Sequence, residues 1–133
     1  MALQYSTAHR TNNVTDIVTA LGATGYLLVY TGTVPATCAT AATGTLLASL
    51  PLSATAGTVT TGVLTFNAIT SAAAAAAGTA GYFRLATSAA GTTVIVQGAV
   101  GATGSDLNFA AGTTFALGET VAVSSFTITA NGA

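Results

Sequence analysis

Charged residues are nearly absent from this chain of 133 residues, which contains no lysine. They make up 4% of the sequence, against roughly 25% in a typical soluble domain. The five are Arg10, Asp16, Arg84, Asp106 and Glu119. A net charge of −1 offers no basic patch to neutralise phosphates, so we expect no nucleic-acid partner. A nearly neutral surface does little to keep copies apart, which favours a protein that works inside an assembly.

Side chains that carry catalysis or bind metals are equally scarce. The chain has one histidine, His9, one cysteine, Cys38, and no tryptophan. A lone cysteine cannot form an internal disulfide, and a zinc site needs several cysteine or histidine ligands. Residues 101–105 are glycine-rich but lack the lysine and the following helix of a phosphate loop. We therefore expect no enzymatic activity, no cofactor and no metal.

The sequence is 51% apolar, yet it does not predict a membrane protein. Thirty alanines and 27 threonines dominate it, and no window has the roughly 18 uninterrupted apolar residues that a membrane-spanning helix needs. The first ten residues lack the basic start and long apolar run of a signal peptide. We expect synthesis in the cytoplasm without Sec-type secretion. Residues 1–10 are predicted to form an irregular arm that exposes Tyr5, His9 and Arg10.

Residues 11–21 have the pattern of a short amphipathic helix. The apolar residues recur at helical spacing on one face: Val14, Ile17, Val18 and Leu21. Asn12 or Asn13 is the predicted N-cap, and Gly22 the predicted stop. Asp16 would then lie near the positive end of the helix dipole, which is a structural role rather than a catalytic one.

From residue 25 onward the apolar pattern alternates with the period of a β-strand. The predicted strands are residues 25–31, 46–52, 63–69, 81–87, 92–100 and 106–109, one beginning at 113–115, and 120–129, with a further short strand at 58–61. Six consecutive alanines from Ala72 are too few for a stable helix and are interpreted as a loop or one helical turn. Turn signals about every 8–12 residues predict an antiparallel β-sandwich or jelly-roll with one short N-terminal helix. Residues 11–133 would form this single domain.

Arg84 is the unusual residue of the predicted central strand. Alternation places Arg84 and Tyr82 on one face and Phe83 on the other. A guanidinium on such a strand needs its donors satisfied. Asp106 is the preferred partner in a structural ion pair, with Glu119 as the other candidate. Arg84 could instead reach the surface or donate to backbone carbonyls of a partner subunit.

Three segments resemble a family of small virion proteins of tailed bacteriophages and prophages. They are YTGTVPAT at residues 30–37, GVLTFNAIT at 62–70 and VQGAVGATGSDLNF at 96–109. The resemblance implies a β-sandwich structural protein, and some members look like capsid decoration (cement) proteins that sit on the shell as trimers. The alanine tract at residues 72–77 replaces the usual acidic or polar residues, which suggests that this segment is covered.

The resemblance implies a non-enzymatic protein on the capsid surface of a virion, with the major capsid protein and further copies of itself as partners. Tyr5, His9 and Arg10 on the arm are the candidate capsid-contact residues. A neck, tail or baseplate component is the alternative. A carbohydrate-binding module is a third hypothesis, which calls for exposed aromatic side chains, and only Tyr5 is expected to be exposed.

Overall fold

The computed structural model describes residues 3–109 and 111–131. Within them lie one α-helix, α1 (Thr7–Leu21), a 3₁₀ turn at Gly22–Thr24, and eleven strands. The strands are β1 (Tyr26–Thr31), β2 (Leu46–Pro51), β3 (Gly57–Thr60), β4 (Val63–Phe66), β5 (Ala72–Ala73), β6 (Gly78–Ala86), β7 (Val94–Gly101), β8 (Leu107–Asn108), β9 (Thr114–Phe115), β10 (Thr120–Val121) and β11 (Thr127–Thr129). The predicted mostly-β class with one short N-terminal helix is confirmed. Its assignment as a sandwich or jelly-roll stays a prediction.

Helix α1 begins four residues before the predicted start. Ser6 is its N-cap, because the Ser6 side chain accepts a hydrogen bond from the His9 backbone N–H at 3.2 Å. The prediction of Asn12 or Asn13 as the cap was wrong, since both lie inside the helix. The apolar stripe was correctly identified: Val14 and Leu21 are buried in the core.

The early start changes two further predictions. Residues 7–10, assigned to the irregular arm, are helical, and residues 1 and 2 of that arm lie outside the described residues. Asp16 lies well past the first turn, so its predicted role at the positive end of the helix dipole was wrong. The stop was right: Gly22 follows the helix with φ 59°, a conformation that glycine adopts without strain.

The larger sheet has the strand order β2-β1-β6-β7-β8, and β9 pairs with the start of β6. Strand β1 is antiparallel to both β2 and β6, and β6 forms an antiparallel hairpin with β7. The short β8 adds to β7 in parallel. Pro51 ends β2 at the edge of this sheet, as its missing N–H predicts.

A smaller sheet, β3-β4-β11, packs against the larger one through aromatic rings. Phe126 stacks on Phe66 at 4.7 Å between centroids and meets Phe83 of β6 edge-on at 5.3 Å. Residues 120–129 were predicted to be one strand, which is wrong. They divide into β10 and β11, which pair with different strands and place Phe126 in the core between them.

The alanine tract was predicted to be a loop or one helical turn, and the structure shows a two-residue strand followed by an irregular segment with a bend at residues 75–76. The loop prediction is correct for residues 74–77, and the helical-turn alternative was wrong. Its first residues form β5, which pairs with β10. The Ala75 N–H donates to the Leu47 carbonyl of β2 at 2.7 Å, and the Ala74 N–H donates to the Glu119 carbonyl at 2.7 Å. Ala74 is buried while Ala73 and Ala75 are exposed. The tract therefore covers the outer edge of β2, although three of its six side chains are exposed.

Candidate functional site

The two faces of the central strand β6 have different surroundings. Phe83 and Leu85 point into the main core, as the alternation predicts. On the opposite face, Tyr82 packs with Leu28 and Tyr30 of β1 in a second, small apolar cluster. Residues 32–45, which connect β1 to β2 and which we call the covering loop, lie over this second face.

Side chains of the sheet fasten the covering loop through its backbone. The Tyr82 hydroxyl donates to the Thr43 carbonyl at 2.6 Å and accepts from the Thr43 N–H at 3.1 Å. Gln97 of β7 donates from Nε2 to the Pro35 carbonyl at 2.7 Å. These bonds satisfy loop groups that no strand partner reaches. The covering loop is therefore held by a few polar contacts to buried side chains.

Arg84 is the third of these polar side chains, and it is 3% exposed. Its Nη2 donates to the Thr40 carbonyl of the covering loop at 2.6 Å. Its Nε is buried and has no hydrogen-bond partner among the described residues. The guanidinium carbon lies 6.0 Å from the centroid of the Tyr82 ring, within reach of a cation–π interaction. Arg84 is thus a buried cation held by a neutral carbonyl and an aromatic ring.

The predicted ion pair between Arg84 and Asp106 was wrong, because the sheet separates the two side chains. Asp106 Oδ2 accepts a hydrogen bond from the Ala99 N–H on β7 at 3.0 Å. A Cβ on Gly98 would lie 2.8 Å from both Asp106 Oδ2 and Phe83 Cε1, so the carboxylate lies on the Phe83 face. Arg84 follows Phe83 in the strand and points to the other face.

The other expectations for Arg84 also differ from the structure. Glu119 is exposed in the turn before β10, where its backbone binds the alanine tract. Arg84 does not reach the surface either. A backbone carbonyl does serve as its acceptor, as one alternative proposed, but the carbonyl belongs to Thr40 of the same chain.

Gln97 lies opposite Arg84 in the β6–β7 register. Its Oε1 is buried without a hydrogen-bond partner, as is Arg84 Nε. An amide oxygen is neutral, so it could accept a hydrogen bond from a guanidinium but could not balance its charge. Within the described part of the chain, the positive charge on this face is therefore uncompensated whichever way the Gln97 amide is turned.

A cavity of about 350 Å³ lies beside Arg84, between the covering loop and the turn at residues 90–92. The polar residues of its lining are Tyr30, Cys38, Thr40, Arg84 and Thr92. The Tyr30 ring stacks on Tyr82 at 5.0 Å with an interplanar angle of 7°, which fixes the position of its hydroxyl.

The Tyr30 hydroxyl is held in its protonated form. Burial raises its pKa above 10.0, and the neighbouring Tyr82 adds to the increase, while the charge of Arg84 acts in the opposite direction. Tyr30 is therefore a neutral hydrogen-bond donor across the physiological range. Sequence reasoning identified Arg84 but missed Tyr30 and the cavity, since the covering loop has no periodic pattern that shows where it folds.

The predicted capsid-contact residues lie near the start of α1. Tyr5 is 45% exposed, His9 is exposed, and their ring centroids are 5.1 Å apart. Arg10 is only half-exposed: its Nη2 donates to the Thr7 hydroxyl at 3.2 Å, and its guanidinium covers Gly62 in the β3–β4 turn. The structure thus brings Tyr5 and His9 together and directs Arg10 onto its own chain.

Sequence reasoning missed Leu3, which at 77% is the most exposed large apolar side chain among the described residues. Leu3 and Tyr5 lie two positions apart in the segment before α1, so their spacing was a signal that could have been used. Leu117, in the turn before β10, is the third exposed large apolar residue at 72%.

A second cavity of about 460 Å³ lies between β7 and β11, with Phe83 and Phe126 among its lining residues. Both rings are buried in the core and cannot offer a flat face to a sugar. Tyr5 is the one strongly exposed aromatic side chain in the described part of the chain. Nothing in this geometry favours the carbohydrate-binding hypothesis.

Across residues 3–109 and 111–131, no cluster of three or more histidine, cysteine, aspartate or glutamate side chains could hold a metal ion. The single α-helix there is too short and too polar to span a membrane.

In comparisons with known proteins, no family model, no curated protein and no solved structure matches this chain. The likeness to phage virion proteins therefore stays a prediction from the sequence motifs.

Proposed function

We propose that this protein is a non-enzymatic structural component of a tailed-phage virion, which decorates the capsid surface and stabilises the shell by bridging major capsid subunits. The observation that carries the proposal is the exposed apolar pair Leu3 and Tyr5 ahead of α1. The sequence resemblance supports the assignment to a virion.

The exposed pair suits a protein partner. Burying a leucine or aromatic side chain stabilises an interface by about 1.5–3 kcal/mol. The chain has only five charged residues, so a partner that covers this region has few charges to desolvate. His9, beside Tyr5, adds a polar group at the rim of the contact. Residues 3–6 are therefore the proposed attachment segment.

Weak contacts of this kind become effective through repetition. A ring of identical copies, such as the trimer that the resemblance implies, binds the shell at several points at once, and avidity raises the total affinity without new contacts. Contacts that exist only in the assembled shell shift the equilibrium towards that shell by mass action. This is how a small protein without catalytic groups would strengthen a capsid.

The attachment segment can be tested on capsids that lack the protein. We expect the double variant Leu3→Ser and Tyr5→Ser to bind at least about tenfold more weakly, because about 1.4 kcal/mol of lost burial corresponds to a factor of ten. Leu117→Ser is the matched control, since it removes an equally exposed apolar side chain from another part of the surface. Co-sedimentation measures the bound fraction. Equal binding by the double variant and wild type would contradict the proposed segment.

A neck, tail or baseplate component would use the same exposed pair. The two locations differ in where the copies lie: a decoration protein covers the shell, whereas a neck, tail or baseplate component is confined to one vertex or to the tail. Labelling of virions with an antibody fragment distinguishes a shell-wide pattern from a signal at one vertex or along the tail.

A further inference from the structure

The second face of the larger sheet contains a positive charge with no negative one beside it among residues 3–109 and 111–131. Arg84 is 3% exposed, and its hydrogen-bonded partner in the described structure is the neutral Thr40 carbonyl. Among the carboxylates, Asp106 lies on the opposite face, while Asp16 and Glu119 are exposed on α1 and in the turn before β10. A buried ion is costly unless it is both paired and hydrogen-bonded.

The cavity beside Arg84 is rich in hydrogen-bond donors. The Arg84 guanidinium borders it, and Tyr30 and Cys38 line it as well. The Cys38 thiol already donates to the Ile95 carbonyl at 4.0 Å. Burial raises the pKa of Tyr30, so its hydroxyl donates at neutral pH. The unpartnered acceptor nearby, Gln97 Oε1, belongs to a neutral amide. Donors with one net positive charge favour an anionic ligand.

We propose that the cavity between the covering loop and the turn at residues 90–92 is a carboxylate-binding site, with Arg84 as the ion partner and Tyr30 as a second donor. A planar carboxylate fits the parallel N–H groups of a guanidinium. A volume of about 350 Å³ admits an acidic side chain or a small free carboxylate. The proposal does not depend on a role in a virion.

The test is an acetate titration of the ¹⁵N-labelled protein, with sodium chloride at matched ionic strength as the reference. We expect saturable shifts of the amide signals of Gly91 and Thr40, which flank the cavity, and a slower alkylation of Cys38 by iodoacetamide when acetate is bound. Arg84→Met should abolish both effects, whereas Arg10→Met, which removes the other arginine, should leave them unchanged. Tyr30→Phe should weaken binding severalfold while leaving the packed ring in place.

The proposal would be overturned if sodium chloride alone produced the same amide shifts as acetate. It would also be overturned if the acetate-induced shifts persisted in Arg84→Met. If Arg84→Met does not fold, the Tyr30→Phe titration decides: unchanged acetate affinity there overturns the assignment of Tyr30 and of the site. A short peptide with blocked termini and one glutamate distinguishes the two sources of the carboxylate, an acidic side chain of a partner and a small free molecule. Tighter binding of the peptide than of acetate indicates an acidic side chain of a partner, and binding of acetate alone indicates a free small carboxylate.

Discussion

Replacing Arg84 by methionine should leave the protein as stable as wild type or make it more stable. The substitution removes the Nη2 hydrogen bond to the Thr40 carbonyl, a bond to a charged group that contributes about 1.5–3 kcal/mol. It also removes the contact with the Tyr82 ring; a cation–π contact contributes about 0.5–1 kcal/mol at an exposed site and about 2 kcal/mol when it is buried. Thr40 is exposed, so water can replace the lost donor.

The folded state gains at least as much free energy from losing the buried charge as it loses with these two contacts. Burying an unpaired ion costs several kcal/mol after relaxation, and replacing buried ions by apolar side chains of similar size is often neutral or stabilising by about 1–4 kcal/mol. Methionine fills much of the space of the arginine stem without a charge. We therefore expect a change in unfolding free energy between about zero and 2 kcal/mol in favour of Arg84→Met.

Urea unfolding followed by circular dichroism measures this change, with thermal melting as a second reading. Leu85→Met is the matched control, because it repacks a fully buried position on the same strand and should cost less than about 1.5 kcal/mol. Had Arg84 been in a buried ion pair, its removal would cost about 3–5 kcal/mol. A loss of that size in Arg84→Met, beyond the Leu85→Met control, would refute the conclusion that Arg84 has no carboxylate partner.

Three further predictions concern the covering loop, the helix start and pH. Tyr82→Phe removes both hydrogen bonds to Thr43. It should speed amide hydrogen exchange in the covering loop and lower the free energy of urea unfolding by about 1–2 kcal/mol. An unchanged exchange rate would show that other contacts hold the loop. Ser6→Ala removes the hydrogen-bond acceptor of the His9 N–H. It should lower the free energy of unfolding by about 0.5–2 kcal/mol, which is measured as a lower melting temperature. A melting curve like that of wild type would contradict the assignment of Ser6 as the N-cap. Because burial raises the pKa of Tyr30 above 10.0, its contribution to stability is fully present below pH 10.0 and is lost as the pH rises through the folded pKa. Urea unfolding across alkaline pH should show this decline in wild type and a smaller one in Tyr30→Phe, and equal declines would contradict the assignment.

Local patterns in the sequence were enough to locate most of the sheet. Alternation along β6 correctly assigned Phe83 to the core and Arg84 to the other face. The partner of Arg84 could not be predicted in this way, because the position of Asp106 depends on β8 adding to β7 in parallel. That pairing is a long-range event with no signal in the spacing of residues.

The remaining errors have the same origin. Alanine has a high helix propensity, but backbone hydrogen bonds to β2 and β10 hold residues 72–75 out of a helix, since small side chains let the backbone approach the sheet edge. The helix start was missed because residues 7–10 have no apolar stripe. Only the Ser6 cap shows where α1 begins, and Ser6 lacks the glutamate three positions later that strengthens such a signal.

The candidate site was predictable only in part. A guanidinium in a strand pattern indicated that Arg84 needs a partner, and this identified the most unusual residue of the fold. The cavity itself depends on the path of the covering loop, which is set by Tyr82, Gln97 and Arg84 binding loop carbonyls. Such contacts between a side chain and a distant backbone group leave no periodic trace in a sequence.

The central claim, that the protein decorates a capsid, is tested most directly by its copy number relative to the major capsid protein. Quantitative mass spectrometry of purified virions of the phage or prophage that encodes it gives this ratio. The proposal predicts a ratio near one, or a simple fraction such as one third. A handful of copies per particle would contradict decoration and favour the neck or tail, and complete absence from the particle would contradict any virion role.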